Sequence, residues 1–186
     1  TPVVCSSENA AAISEAAVKA GKVVHGLVAV DTGMGRIGVF PDETGLEFVK
    51  QVSQIEGLEI AGVFTHFACS DAVDDEMTLK QFDKFMYVTG ELENNGLVIP
   101  IKHCCNSAAI IKFPHMHLDM VRAGIILYGM YPSDIDYDID LKPIMTFKST
   151  VINIKTMQPG ETVSYGATYK VDKPTKVATV AVGYAD

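Results

Sequence analysis

The sequence predicts an α/β chain with two parts: parallel βα units over residues 1–130, then the first part of a mainly β domain over residues 131–186. Three observations carry this. Up to residue 130, apolar runs of strand length alternate with amphipathic runs of helix length, and each apolar run is near-continuous, as strands covered on both faces require. Polar, ligand-type residues follow the apolar runs each time, at 31–36, 66–71, 106–107 and 122–124. Beyond residue 131 the helical periodicity stops and strand-like runs succeed one another without helices between them. Sites at the carboxyl ends of parallel strands belong to barrels or to open α/β sheets. A complete eight-stranded barrel takes ~250 residues, so the units before residue 130 amount to about half of one.

In chain order, residues 7–21 read as a helix with Ser6 or Ser7 as N-cap, Ala, Ile and Val at helical spacing, and Gly21 as the stop. A strand over 23–30 follows, then a helix over 41–52 with Pro41 and acidic residues in its first turn, then a strand over 58–64. Residues 75–94 form a long amphipathic helix closed by Asn95 and Gly96; a third strand spans 98–103, a short helix 106–112 and a fourth strand 118–121. Residues 131–140, rich in Pro, Ser, Asp and Tyr, read as a linker. Apolar runs at 145–157 and 176–184, with a turn at Gln158-Pro159-Gly160, open the β domain. The chain starts without Met in mid-pattern and stops directly after an apolar run, as a segment of a longer protein is expected to do.

At 186 residues, 48% hydrophobic and 20% charged, the composition is that of a globular protein with one sizeable core. A net charge of −8 without any Lys/Arg cluster points away from nucleic acid and anionic membrane surfaces and toward a small metabolite as partner. No apolar run approaches the ~20 residues of a membrane span, and no basic segment leads into an export signal. The four cysteines lack the spacing of a disulfide framework, which makes a reducing cytoplasm the expected location.

The chain has only two arginines, and Arg122 lies between apolar neighbours with Gly124 directly after it. A guanidinium is an always-charged planar fork, so this placement reads as an aimed donor facing an anionic or aromatic heterocyclic ligand. The alternative is an interior arginine paired with one of the 23 carboxylates. His66, His103, Cys69, Cys104, Cys105, His115 and His117 are metal-ligand residue types, but no C-x-x-C or H-x-x-x-H spacing occurs, and Cys104 and Cys105 would face opposite ways on a strand, so no metal site is expected.

Four stretches together resemble bacterial alanine racemase, in that family's order: Asp31-Thr-Gly-Met-Gly-Arg-Ile-Gly38; Thr65-His-Phe-Ala68; His103-Cys-Cys-Asn-Ser107 with Val121-Arg-Ala-Gly-Ile125; and Val163-Ser-Tyr-Gly-Ala-Thr-Tyr169 with Val182-Gly-Tyr-Ala-Asp186. The resemblance implies the C-terminal half of a pyridoxal 5'-phosphate (PLP)-binding TIM-type (β/α) barrel, followed by the start of the β domain. It also implies a homodimer with active sites at the subunit interface and interconversion of L- and D-alanine, the D-enantiomer serving peptidoglycan.

Carried over residue by residue, Arg122 matches the arginine that meets the pyridine nitrogen, and His66 the histidine that orients it. A guanidinium has no proton to spare, so the ring nitrogen stays unprotonated and the carbanion is less stabilised through the ring, which limits side reactions. Asn106, Ser107, Gly124 and Ile125 match the stretches holding the cofactor phosphate and ring. Arg36 matches the arginine near the substrate carboxylate. Tyr165 matches the catalytic tyrosine, which reaches a partner's site, and Tyr184 a tyrosine at the substrate entrance. A phenol with a pKa of ~10 needs surroundings that favour the phenolate.

Two departures stand out. The lysine that carries PLP in the family lies upstream of Thr1, so this segment is expected to be inactive alone. Where the family often has a lysine supporting the arginine that matches Arg36, this chain has Ala29. A racemase of another small amino acid such as serine, or a non-catalytic PLP-binding barrel protein, remain as alternatives.

Overall fold

The computed structural model describes residues 1–185, so that Asp186 of the last motif lies outside the described residues. It divides into two compact units, residues 1–144 and residues from Met145 onward.

In the first unit, β1 (Val3–Val4) leads through the Ser6 cap into α1 (Ser7–Lys19). The Ser6 hydroxyl oxygen accepts the Asn9 N–H at 3.1 Å, and Gly21, in the left-handed region at φ +62°, ends the helix. Strand β2 (Val24–Ala29) is followed by α2 (Glu43–Val52), whose first turn is held by Asp42 Oδ1 accepting from the N–H groups of Thr44 and Gly45. Strand β3 (Leu58–Phe64) leads to α3 (Glu76–Asn94), and β4 (Ile101–His103) to α4 (Ser107–Lys112), capped by Asn106. The strands pair in sequence order, β1-β2-β3-β4, every pair parallel, so α1, α2 and α3 are each a crossover between neighbouring strands. Val4, Val28 and Val63 from the sheet meet Val49 and Val52 of α2 and Phe85, Val88 and Leu92 of α3 in one core. Among the described residues no helix is long and apolar enough to cross a membrane.

Three expectations are corrected here. Strand β4 begins at Ile101 rather than at residue 98, directly after Pro100, which has no N–H for a ladder. Residues 118–121 form no strand. Leu118 has φ +52°, and the Asp119 carboxylate takes the Lys102 N–H at 2.8 Å, a donor that a neighbouring strand's carbonyl would have needed. Two backbone bonds, Asp119 N–H to Lys102 O and Arg122 N–H to Cys105 O, still run this segment beside β4 and its extension. Residues 131–140 are no free linker: Tyr131 stacks on Tyr137 with ring centroids 6.0 Å apart, and Ser133 donates to the Asp71 carbonyl, so the first unit continues past residue 130 to Ile144.

The second unit is antiparallel. β5 (Val151–Met157) pairs with β8 (Thr175–Val180), and the short β6 (Thr162–Val163) with β7 (Tyr169–Lys170). The first strand therefore starts at Val151, later than residue 145, and the last ends at Val180 rather than 184. Gly160, at φ +95°, makes the turn between β5 and β6.

Gly62 pairs with Ile101 across β3 and β4, and a Cβ added there would lie 2.9 Å from the Ile101 Cβ and overlap the Ile101 carbonyl oxygen. Gly62→Ala is expected to destabilise the protein by about 1–3 kcal/mol, the usual result of overpacking against backbone, read as a lower urea midpoint. An unchanged midpoint would show that the two strands separate without cost.

Candidate functional site

Phe64 and His103 are register partners at the ends of β3 and β4, so the residues after each strand emerge side by side at one edge of the sheet. The Arg122 N–H, bonded to the Cys105 carbonyl, brings a third segment to the same place. The Arg122 guanidinium lies 5.5 Å from the Phe64 ring centroid. Its Nη2 donates to the Thr65 carbonyl at 3.0 Å, the Cys104 carbonyl at 3.2 Å and His66 Nδ1 at 3.3 Å, and its Nη1 donates to His103 Nδ1. No carboxylate pairs with it among the described residues, contrary to the ordinary reading of an interior arginine.

The electrostatics follow from that arrangement. Both imidazoles accept at Nδ1, so each is neutral with its proton on Nε2. Burial first and the Arg122 charge second push the His103 pKa from its ordinary 6.5 down to about 4. Burial, then Arg122, then Arg36 lower the pKa of His66. Burial also lowers the pKa of Arg122, which nonetheless stays charged at any working pH. His103 stacks flat on Phe64, centroids 5.1 Å apart, and its Nε2 is buried without a partner among the described residues. Sequence reasoning passed over His103 as a partner of Arg122. The available signal was its position at a strand end, next to the one that puts His66 beside the same edge.

A cavity of about 250 Å³ opens beside this cluster, with Met34, His66, Phe67, Asn106, Ser107 and Ile125 in its wall. The Gly124 N–H donates to Ser107 Oγ at 2.9 Å, leaving the hydroxyl proton for another acceptor. Asn106 is committed to structure: its Oδ1 accepts from Ser70 Oγ and from the Ala109 N–H, and its Nδ2 donates to the Phe67 carbonyl. A larger cavity of about 490 Å³ at Tyr131 and Tyr137 carries Asp134 and Asp136 and no cation, a poor place for an anion.

Arg36 sits in the turn after β2. Asp31 Oδ1 accepts the N–H groups of Gly33 and Gly35, both at 3.0 Å, and Gly38, at φ +124°, lets the chain fold back over the buried Ala29. Arg36 itself is exposed and makes no hydrogen bond or ion pair among the described residues, although its charge is felt by His66. Tyr165 and Tyr184 belong to the second unit, where both are exposed. Tyr165 opens a 3-10 turn that follows Ser164 at φ +59° and ends on Ala167 at φ +50°, two non-glycine residues in the left-handed region.

The two adjacent cysteines do not face opposite ways. Both lie beyond β4, and both sulfurs reach the Met116 carbonyl oxygen at 3.2 Å. The strand's alternation has ended by residue 104, so both thiols turn into the core, where they are fully buried.

The family model for "Alanine racemase, N-terminal domain" matches residues 1–132, and that for "Alanine racemase, C-terminal domain" matches residues 144–186. An alanine racemase of Clostridium tetani is 46% identical over 185 residues, 98% of this chain and 48% of that protein. The solved alanine racemase of Clostridium difficile 630 superposes with a TM-score of 0.85 at 42% identity, over 99% of this chain and 48% of that one. The alanine racemase of Bacillus anthracis with bound L-Ala-P superposes with a TM-score of 0.82 at 32% identity, again over 99% and 48%. The chain thus spans about half the length of the curated relatives it matches.

The two depressed imidazoles make stability depend on pH. A group whose pKa is lower folded than unfolded lets the unfolded state bind more protons, so stability rises with pH through the window between the two values. For His103 that window runs from about 4 to its ordinary 6.5, with stability lost as pH falls through it. The loss is up to about 3 kcal/mol. His103→Gln, which still offers Arg122 an acceptor but cannot titrate, is expected to flatten the urea midpoint between pH 6.5 and 4 relative to the parent. Equal slopes in the two proteins would show that His103 is not held neutral.

Proposed function

The chain belongs to the alanine racemase family, and from that premise we propose that the whole protein interconverts L- and D-alanine with PLP. The observation that carries this reading is a guanidinium that no carboxylate meets among the described residues. Arg122 is fixed by carbonyls and neutral imidazoles, and its Nε–H and second Nη1–H have no partner among the described residues. A donor-only cation with N–H groups to spare suits an unprotonated pyridine nitrogen, since it offers hydrogen bonds and can give up no proton.

The residues present fit the cofactor. Arg122 would hold the ring nitrogen; Ser107 and the backbone at Gly124 and Ile125 would hold the phosphate; His66 would keep Arg122 in place. Asn106 serves this set through the loop it caps. When bound, PLP supplies the electron sink for the pair of electrons left as the α-proton departs. Arg122 limits how deep that sink is by leaving the ring nitrogen unprotonated. Arg36, exposed and without a side-chain partner among the described residues, would take the substrate carboxylate.

Tyr165 is the proton-transfer residue on the L-face of the substrate, delivered across a homodimer, with Tyr184 at the entrance. The parallel sheet of the first unit is then part of a (β/α) barrel and the second unit the start of the β domain. The setting is cytoplasmic, and the D-alanine supplies peptidoglycan. Tolerance of L-Ala-P by the Bacillus anthracis relative supports a small amino-acid site.

The test is racemisation of L-alanine by the full-length protein with added PLP, followed by the change in optical rotation, with L-serine as comparison. Tyr165→Phe is expected to reduce kcat about 10²- to 10⁴-fold while keeping cofactor absorbance, because the phenol moves a proton and does not hold the ring. PLP binding without racemisation by the parent would replace this reading with a non-catalytic PLP-binding barrel. Loss of cofactor together with activity in Tyr165→Phe would make the tyrosine structural.

A further inference from the structure

Buried side chains on α3 fall at 78, 81, 85, 88, 89 and 92, one stripe of the helix facing the core. Phe85, Val88 and Leu92 fill it as expected, but position 81 is a glutamine, only 2% exposed. An amide in an apolar stripe is stabilising only if each of its polar atoms is satisfied. All of them are, and every partner lies in the loops that follow β2 and β3. Oε1 accepts the Ala68 N–H at 2.9 Å; Nε2 donates to the His66 carbonyl at 3.1 Å and to Thr32 Oγ1 at 3.2 Å.

We propose that Gln81 is a positioning residue for the Arg122–His66 site, clamping from the helix layer the two loops that carry Arg36 and His66. The activity part of this proposal rests on the racemase reading; the geometric part does not.

The clamp has two arms. In the first, Gln81 bonds the carbonyl of His66 and the amide of Ala68, so the peptide groups on either side of the buried Phe67 cannot rotate. Fixing the His66 backbone fixes where Nδ1 meets Arg122. In the second, Thr32 Oγ1 accepts from Gln81 and shares a hydrogen bond with Thr65 Oγ1, 2.7 Å away; both threonines are buried. Thr65 in turn presents its carbonyl to Arg122 Nη2. Thr32 also lies in the turn that carries Arg36, and that turn passes over Gln81: a Cβ at Gly33 would lie 3.5 Å from Gln81 Cγ. One side chain thus fixes the carbonyl that holds Arg122, the histidine that flanks it, and the turn bearing the other arginine. A merely packing residue at this position could be a leucine. Linked buried polar groups of this kind rigidify what they join.

The test uses the full-length protein and three variants, read by kcat, by KM, by the thermal midpoint and by the NMR resonances of the His66 imidazole. Gln81→Leu keeps the volume and removes all three bonds. It is expected to lower kcat about 10- to 100-fold with KM little changed, since small misplacements of a site cost that much, and to shift the His66 resonances. Val88→Ala, in the same stripe, is expected to lower the thermal midpoint while leaving kcat and the His66 resonances at their parent values. Should Gln81→Leu fail to fold, Thr32→Val breaks the second arm alone and is expected to shift the same resonances by a smaller amount. Unmoved His66 resonances in Gln81→Leu or, in its place, Thr32→Val would overturn the clamp, as would equal kcat losses in Gln81→Leu and Val88→Ala. Shifted resonances in a full-length protein that racemises nothing would uphold the clamp and overturn the racemase reading instead.

Discussion

A half-buried guanidinium with no carboxylate to meet it among the described residues is the constraint on which the site depends. Desolvating such a charge costs several kcal/mol, and two opposed charges would be the ordinary remedy. Arg122 instead relies on the Thr65 and Cys104 carbonyls and two imidazole nitrogens. Neutral acceptors stabilise the cation less than a carboxylate would, and they leave its charge uncancelled for a ligand. They must therefore be well placed. The Thr65 and Cys104 carbonyls emerge from β3 and β4, so the register of those strands, set by Phe64 against His103, decides whether Arg122 is held at all.

The same constraint explains the histidines. Each must stay neutral to accept at Nδ1, and the uncancelled charge of Arg122 itself helps by depressing both pKa values. Arginine and histidines thus maintain each other: protonating either imidazole would remove an acceptor and place a second cation beside the first. Phe64 supports the arrangement from below, with His103 stacked on it and Arg122 over its ring. The loops above have their own supports, from the Asp31 carboxylate under the glycine turn to the Asn106 amide that ties α4 to Ser70 and Phe67.

The two units differ in the side chains they present. The first unit holds Arg122, His66 and His103 as cationic and neutral donors and acceptors in buried or half-buried positions. The second presents Tyr165 at the surface on a turn with left-handed Ser164 and Ala167, a backbone that non-glycine residues adopt only when their surroundings impose it.

Much of this was readable from residue order alone. Near-continuous apolar runs separated by amphipathic ones specify parallel strands and crossover helices wherever chain neighbours decide the outcome, and β2, α2, β3 and α3 formed within a residue or two of expectation. Arg122, set among apolar neighbours, stood out in the sequence as an aimed donor, and in the fold two carbonyls and two imidazoles meet it. What order alone did not decide was set by partners distant in sequence. Residues 118–121 have a strand's composition but became an irregular segment because the Asp119 carboxylate took a backbone donor from Lys102. Cys104 and Cys105 turned the same way because β4 ended one residue earlier. His103 and Gln81 gained their places beside Arg122 and the site loops only when β3, β4 and α3 packed together. Local pattern depends on the period of one element and is written along the chain, whereas the partner of a buried polar atom depends on which elements meet, and that only packing determines.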